Sequence, residues 1–184
     1  MRRRAKIINF GILYGMGVNA LKTQLGTSIG EAQQYLEDYF QTFSRLKEYL
    51  EETKGFARKN GYTETLFGRR RQFPEMKSPL PYVRAQAERM AINAPIQGTQ
   101  SDVIKLAMVR IDTWLKENNA REDAHLILQV HDELVYEIRS ENVQELADGV
   151  EHIMETVLTD EQRNGVPILA EWKAGANWGS MEAL

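Results

Sequence analysis

The sequence predicts an α+β fold that is mostly helical, with helices covering a small antiparallel sheet. Three observations point there. Apolar residues recur at helical spacing up to about Lys59 and again from Tyr82 to Lys116. The period then shortens to that of a strand at Leu126–Val130 and at Leu134–Ile138, with His131-Asp132-Glu133 between them. A helical stretch from about Glu141 to Leu158 and an apolar run at Ile168–Lys173 complete the order helices, hairpin, helix, strand, which is that of helices laid on an antiparallel sheet.

Taken in order, Arg2 to about Tyr14 reads as a helix that Gly15-Met16-Gly17 breaks. Gly11 inside it costs about 1 kcal/mol relative to alanine, so its presence implies close packing or an approaching ligand. Ser28 followed by Glu31 is a capping-box pattern and starts a second helix, with a stripe at Tyr35, Leu36, Tyr39 and Phe40. The helical pattern kinks near Ser44 and stops at Asn60-Gly61. Tyr62–Phe67 alternates and ends at Gly68, as a hairpin arm does. Pro74, Pro79 and Pro81 mark a loop. Tyr82–Asn93 is helical, Pro95 interrupts, and a long amphipathic helix follows from about Gly98 to Lys116. Leu126–Val130 and Leu134–Ile138 read as a pair of buried strands, and Ile168–Lys173 as the last strand.

Length and composition narrow the function classes. The chain has 184 residues and 42% hydrophobic residues, enough for one large domain or two small ones. Its net charge of −3 argues against non-specific coating of nucleic acid, yet Arg2-Arg3-Arg4 with Lys6, and Arg69-Arg70-Arg71, are local basic clusters able to meet a phosphate backbone. With no cysteine, disulfides and thiolate metal sites are excluded. No apolar run reaches membrane-spanning length and no signal-peptide core follows the basic start, so a cytoplasmic location without membrane partners is expected.

Two constellations carry chemistry. Arg2, Lys6, Phe10 and Tyr14 are spaced by four and form one helical stripe that passes from two cations to two rings. The stripe suits a ligand that is anionic at one end and flat at the other, such as a nucleoside triphosphate: Arg2 and Lys6 on phosphate oxygens, Phe10 against sugar or base, Tyr14 stacked at the helix end. The same spacing also fits an ordinary amphipathic helix with a snorkelling basic end and two core aromatics. The second constellation is the tip His131-Asp132-Glu133. Aspartate is common in turns, so a plain hairpin fits. Adjacent carboxylates on a rigid base, relieved by a divalent ion and flanked by an imidazole donor, fit too.

These segments resemble family A DNA polymerases. RRRAKIINFGILYGMG matches every fixed position of that family's motif B, LQVHDELVYEI resembles its motif C, and RAQAERMAINAPIQGTQSDVIKLAM, TLFGRRRQFPEM and AEWKAGANWGSM extend the resemblance over nearly the whole chain. The resemblance implies fingers helices over residues 1–80 and part of a palm with the motif C hairpin over 81–184. It implies template-directed DNA synthesis, nucleotidyl transfer from a dNTP to a primer 3′-hydroxyl, on primer–template DNA. It implies that Arg2 and Lys6 bind the dNTP phosphates and Phe10 packs on the nucleotide. Phenylalanine at position 10 implies discrimination against sugars lacking the 3′-hydroxyl, and Tyr14 with Gly15 guards the templating base. Carried over likewise, Asp132 is a metal ligand for Mg²⁺, Glu133 assists nearby, and His131 touches the primer terminus. Gln97 and Asn93 reach the minor groove, where acceptors common to all base pairs lie. Arg84 makes nearby polar contacts and Arg71 meets phosphate. Each of these amides and arginines is equally at home satisfied within the protein. Such an enzyme is expected on the nucleoid.

The resemblance also implies a second metal-binding aspartate on a motif A strand upstream of motif B, here upstream of Met1, together with a thumb. No substitute is visible: Asp38 falls on a helix pattern, and Asp112, Asp123 and Asp148 lack an apolar strand context. Two ions about 3.5–4 Å apart need carboxylates on both sides, so the isolated chain is expected to polymerise poorly or not at all and to leave one sheet edge unpaired. The alternatives are a split polymerase completed by a partner and a non-catalytic module that binds nucleotide or primer–template.

Overall fold

The computed structural model describes residues 2–183, and among these the side chains of residues 2–4 and 7 are not described. The expected α+β, mostly helical architecture is observed. The chain divides into two compact units, Met1–Thr99 and Gln100–Leu184. No helix among the described residues is long and apolar enough to cross a membrane.

The first unit begins with α1 (Arg2–Leu13), which ends at the Gly15 turn as its sequence requires. Gly11 lies against Met16, whose methyl would stand 2.3 Å from a Cβ there and would have to move aside. A short helix, α2 (Val18–Leu25), follows where none was expected. It buries only Leu21 and is closed by Gly26 in the left-handed region, so its periodic signal is a single residue deep. α3 (Ile29–Thr42) carries the expected capping box. The Ser28 hydroxyl accepts from the Glu31 amide, and the Glu31 carboxylate accepts from Ser28 N–H at 3.0 Å and Ser28 O–H at 2.8 Å. The stripe on α3 is shallower than expected: Ala32 is buried, whereas Tyr35 is exposed. The kink near Ser44 is a full break at Phe43, and α4 (Ser44–Asn60) ends on Gly61 with φ 77°.

β1 (Tyr62–Glu64) and β2 (Arg70–Gln72) form an antiparallel hairpin in the register Tyr62↔Gln72 to Glu64↔Arg70. The arginine run thus supplies the second arm. A 3₁₀ turn at Pro74–Lys77 leads into α5 (Pro81–Glu117). The expected interruption at Pro95 does not occur: the helix is continuous over 37 residues with Pro95 inside it. Proline in a helix costs about 3 kcal/mol, and the burial of Ala91, Ile92 and Ala94 around it and of Ile104 beyond offsets that loss. The core of this unit joins Ala57 of α4, Phe73, Met76, and Ala87, Ala91 and Ala94 of α5. Alanines at helical spacing leave room for one large ring, Phe73, which is 1% exposed.

In the second unit the later part of α5 presents Ala107, Ile111 and Leu115 to α6 (Val143–Glu155) and to β4 (Glu133–Ile138). Gly149 admits the Trp114 ring, because a Cβ there would lie 2.3 Å from it. Among the described residues β3 (Ala124–Val130) pairs only with β4, antiparallel, with a bulge at Ile127 between the pairs Leu126↔Tyr136 and Leu128↔Val135. Only half of the buried-strand expectation holds. Leu134, Tyr136 and Ile138 of β4 pack on the core, whereas Leu126, Ile127 and Leu128 of β3 are 39–52% exposed. An apolar run signals a strand without showing that the protein around it covers both faces. Burial, helped by Asp112, pushes the Tyr136 phenol up to about 12.

The expected strand at Ile168–Lys173 shrinks to β5 (Lys173–Ala174), paired with β6 (Glu182–Ala183). The residues before it have no ladder; α6 holds them instead, through Ala170 N–H to Glu155 at 3.2 Å and Trp172 Nε1–H to Glu151 at 3.0 Å. The helical pattern expected to reach Leu158 ends at Glu155, and a four-residue helix, α7 (Asp160–Arg163), follows.

Two outcomes follow from this packing. Ile111 is fully buried, so Ile111→Ala is expected to cost about 2–5 kcal/mol, read as a lower urea midpoint. The Thr27 hydroxyl, then the Ser28 N–H and hydroxyl, hold the exposed Glu31 carboxyl down to about 2 from its ordinary 4.5. The folded form therefore favours the carboxylate, and the cap's stabilisation is complete above about 4.5 and lost as pH falls through 2. An acid titration followed by far-UV circular dichroism should show this loss, and Glu31→Gln, which keeps a capping side chain, should flatten it.

Candidate functional site

On α1 the four-residue spacing yields a continuous exposed ridge. Lys6 is exposed, with its Nζ 5.8 Å from the Phe10 ring centroid. The Phe10 and Tyr14 rings are stacked with centroids 6.1 Å apart and planes 20° apart. Phe10 is 42% and Tyr14 39% exposed, so the rings are not the core aromatics of an ordinary amphipathic helix; the buried side of α1 is Ile12, at 2%. Arg2 was expected to head this stripe; it starts α1, but its side chain lies outside the described residues. The ridge ends at Gly15, whose φ of 76° disfavours a side chain and where a Cβ would lie 3.0 Å from Arg89 Cγ.

Along α5, Asn93 and Gln97 stand one turn apart. Gln97 is exposed. Asn93 is half-buried, and its Oδ1 is buried without a hydrogen-bond partner among the described residues. Arg84 is tied into the fold: its Nη1 donates to the Ser78 carbonyl at 2.7 Å.

The arginine run divides by task. Arg69 donates from Nη2 to the Gly98 carbonyl at 3.0 Å, and Leu66 N–H donates to Thr99 Oγ1 at 2.9 Å, so the hairpin is lashed to α5. A Cβ on Gly98 would lie 2.5 Å from Thr65 Cγ2, which is why that contact takes a glycine. Arg70 pairs with Glu64 at 2.6 Å and lies 4.4 Å over the Tyr62 ring. Arg71 remains exposed, 5.4 Å over the Phe73 ring. Sequence reasoning did not assign the bracing role of Arg69; the signal was Gly98 opposite a hairpin whose Thr65 packs on it.

In the second unit, His131 and Asp132 form the two-residue connection closed by the pair Val130↔Glu133. His131 has φ 55°, a conformation uncommon for a residue with a side chain. The Gln129 amide donates to the His131 carbonyl at 2.5 Å and holds the turn. His131, Asp132 and Glu133 are all exposed.

The described residues do not by themselves make a divalent-ion site. No group of three or more His, Cys, Asp or Glu among them is placed to hold a metal. Asp132 and Glu133 offer oxygen ligands of the hard type that Mg²⁺ takes, but as an adjacent pair on an exposed turn.

Residues 1–180 match the model of DNA polymerase family A, and the chain belongs to that family. It is 45% identical over 177 residues to DNA polymerase I of Pseudomonas aeruginosa, covering 96% of this chain and 19% of the relative. It is 44% identical over 178 residues to the thermostable DNA polymerase I of Thermus aquaticus, covering 97% and 20% respectively. Among solved structures, the POL domain of Pol1 from M. smegmatis, in complex with DNA primer-template and dNTP, superposes with a TM-score of 0.81 at 41% identity, over 86% of this chain and 28% of that one. The chain thus spans about one fifth of the length of the DNA polymerase I relatives it matches.

Replacing His131 by glycine is expected to stabilise the hairpin by up to about 1 kcal/mol by removing the left-handed penalty, while deleting the imidazole. Chemical denaturation of His131→Gly reads the gain; an unchanged or lower midpoint would show that the turn carries no such penalty.

Proposed function

We propose that this chain is the part of a family A DNA polymerase that receives the incoming dNTP and faces the primer terminus. The observation that carries this reading is the exposure of Lys6, Phe10 and Tyr14 as one uninterrupted ridge. Residues 1–80 act as the fingers-like part and residues 81–184 as part of the palm. Lys6, with Arg2, holds the triphosphate; Phe10 packs on the nucleoside; Tyr14 and Gly15 close the end where the templating base lies. An ammonium on an exposed helix face can meet phosphate oxygens without first breaking an ion pair, and exposed rings supply the flat contact.

On the palm part, His131 meets the primer end, with Asp132 and Glu133 beside it. Gln97 and Asn93 meet the minor groove through their amide N–H groups, which donate to the acceptors common to all base pairs. Arg71 meets a backbone phosphate, while Arg84 acts from its anchored position near Ser78. Mg²⁺ is the ion this chemistry uses. Asp132 would give it one ligand, and a motif A strand of the palm portion upstream of these residues would give the second metal-binding aspartate. The partners are therefore primer–template DNA, dNTP and that portion, and such a protein works on the nucleoid.

Transfer of a nucleotidyl group rests on positioning and charge neutralisation, so one carboxylate pair does not suffice. The alternative reading is a module that binds nucleotide or primer–template without catalysis, which the exposed ridge of Lys6, Phe10 and Tyr14 would serve equally well. Primer extension separates the two. The 184-residue chain with Mg²⁺ and four dNTPs is expected to give no extension, and robust extension without an added partner would overturn this. Binding should survive: Lys6→Ala is expected to weaken Mg²⁺–dATP binding about tenfold or more, measured by equilibrium dialysis. Primer–template affinity should fall as salt rises, and a flat response would argue against phosphate contacts.

A further inference from the structure

The ridge on α1 is useful only if it faces a fixed direction, and burial alone does not fix it. On a helical wheel of about 100° per residue, Lys6, Phe10 and Tyr14 occupy one flank and the buried Ile12 lies well to the other side. Apolar burial is non-directional. The burial of Ile12 and the glycine turn at Gly15 resist rolling of α1 less sharply than a directional contact does. Asn9 lies between, about 60° from Ile12 and about 60° from Lys6 on the same wheel. A hydrogen bond there, directional by nature, resists rolling either way.

We propose that Tyr39 is a positioning residue for the nucleotide-binding ridge: its hydroxyl, bonded to Asn9, sets the rotation of α1 and so the direction in which Lys6, Phe10 and Tyr14 face. The Tyr39 hydroxyl donates to Asn9 Oδ1 at 2.5 Å, joining α3 to α1 across 30 residues of sequence. The phenol is itself held firmly. Its ring lies 4.9 Å from Phe43, tilted by 46°, and 5.7 Å from Phe40, edge to face. Its backbone carbonyl accepts from Phe43 N–H at 2.9 Å where α3 ends. Burial raises the phenol above its ordinary value of 10, so it stays the protonated donor throughout the neutral range. The aromatic cluster thus orients the phenol, and Asn9 is the point where α1 is bonded to it.

This inference rests on the proposed nucleotide role of the ridge, and its test separates the two. Tyr39→Phe keeps the ring stack and removes only the hydroxyl; Asn9→Ala removes the acceptor from an exposed position. In the 184-residue chain, hydrogen exchange of the α1 amides should quicken about two- to tenfold in either variant, with α4 amides unchanged. Mg²⁺–dATP binding should weaken by a similar factor. The double variant should be no worse than either single one, because both remove one interaction, and Asn9→Asp, which keeps an acceptor, should restore α1 protection. Unchanged α1 exchange in Tyr39→Phe would overturn the proposal. So would equal quickening in α4, which marks general loosening, or additive effects in the double variant. If the unmodified chain binds no dATP, the nucleotide reading fails, while the exchange measurements still decide whether Tyr39 sets α1.

Discussion

Small residues on α5 set how near its neighbours can come. Ala87, Ala91 and Ala94 leave a shallow face against which Ala57 of α4 and the single ring of Phe73 close to near-complete burial. Larger side chains there would hold α4 and the β1–β2 hairpin away from α5. That closeness lets Arg69 reach the Gly98 carbonyl and Leu66 N–H reach Thr99, and it keeps Gly15 against Arg89 and Ile92. The later part of the same helix does the corresponding work in the second unit, where Ile111 and Leu115 give α6 and β4 a surface to cover. Removing Pro95's hydrogen bond from the middle of such a helix is tolerated because packing on both sides of the residue outweighs one missing bond.

Four of the residues proposed as functional stay out of the low-energy arrangement open to them. Phe10 and Tyr14 remain exposed although aromatic rings gain by burial. His131 keeps a positive φ where glycine would sit without strain. Asn93 keeps a buried acceptor unmet. By contrast, Arg69, Arg70 and Arg84 are engaged by carbonyls or a carboxylate of their own unit. Within one arginine run, whose members are all exposed, Arg69 and Arg70 bond a carbonyl and a carboxylate of their own unit, whereas Arg71 lies over the Phe73 ring.

Much of this was legible in the sequence where a local signal and its structural cause coincide. The capping box at Ser28 and Glu31, the stops at Gly15 and Gly61 and the two-residue tip at His131-Asp132 act over a few bonds. The four-residue ridge was legible as geometry, though its spacing suited a core helix as well. Elements whose cause is distant were not legible. α2 exists by burying one leucine, and the run Ile168–Trp172 is held by Glu151 and Glu155 of α6 rather than by a strand. β3 carries the apolar residues of a buried strand yet is exposed, since burial depends on what lies opposite and not on the strand's own composition.

By itself the sequence determined element types, the helical ends, the grading of α1 from cation to ring, and membership of a polymerase family, because short-range sterics, hydrogen bonding and fixed spacing are written in neighbouring residues. Tertiary structure alone decided which arginine is free of internal carbonyls, which strand face is covered, that Pro95 leaves its helix whole, and that Tyr39 grips Asn9. Those outcomes depend on groups far apart in the chain, whose contact is settled only when the cores around Phe73 and Ile111 close.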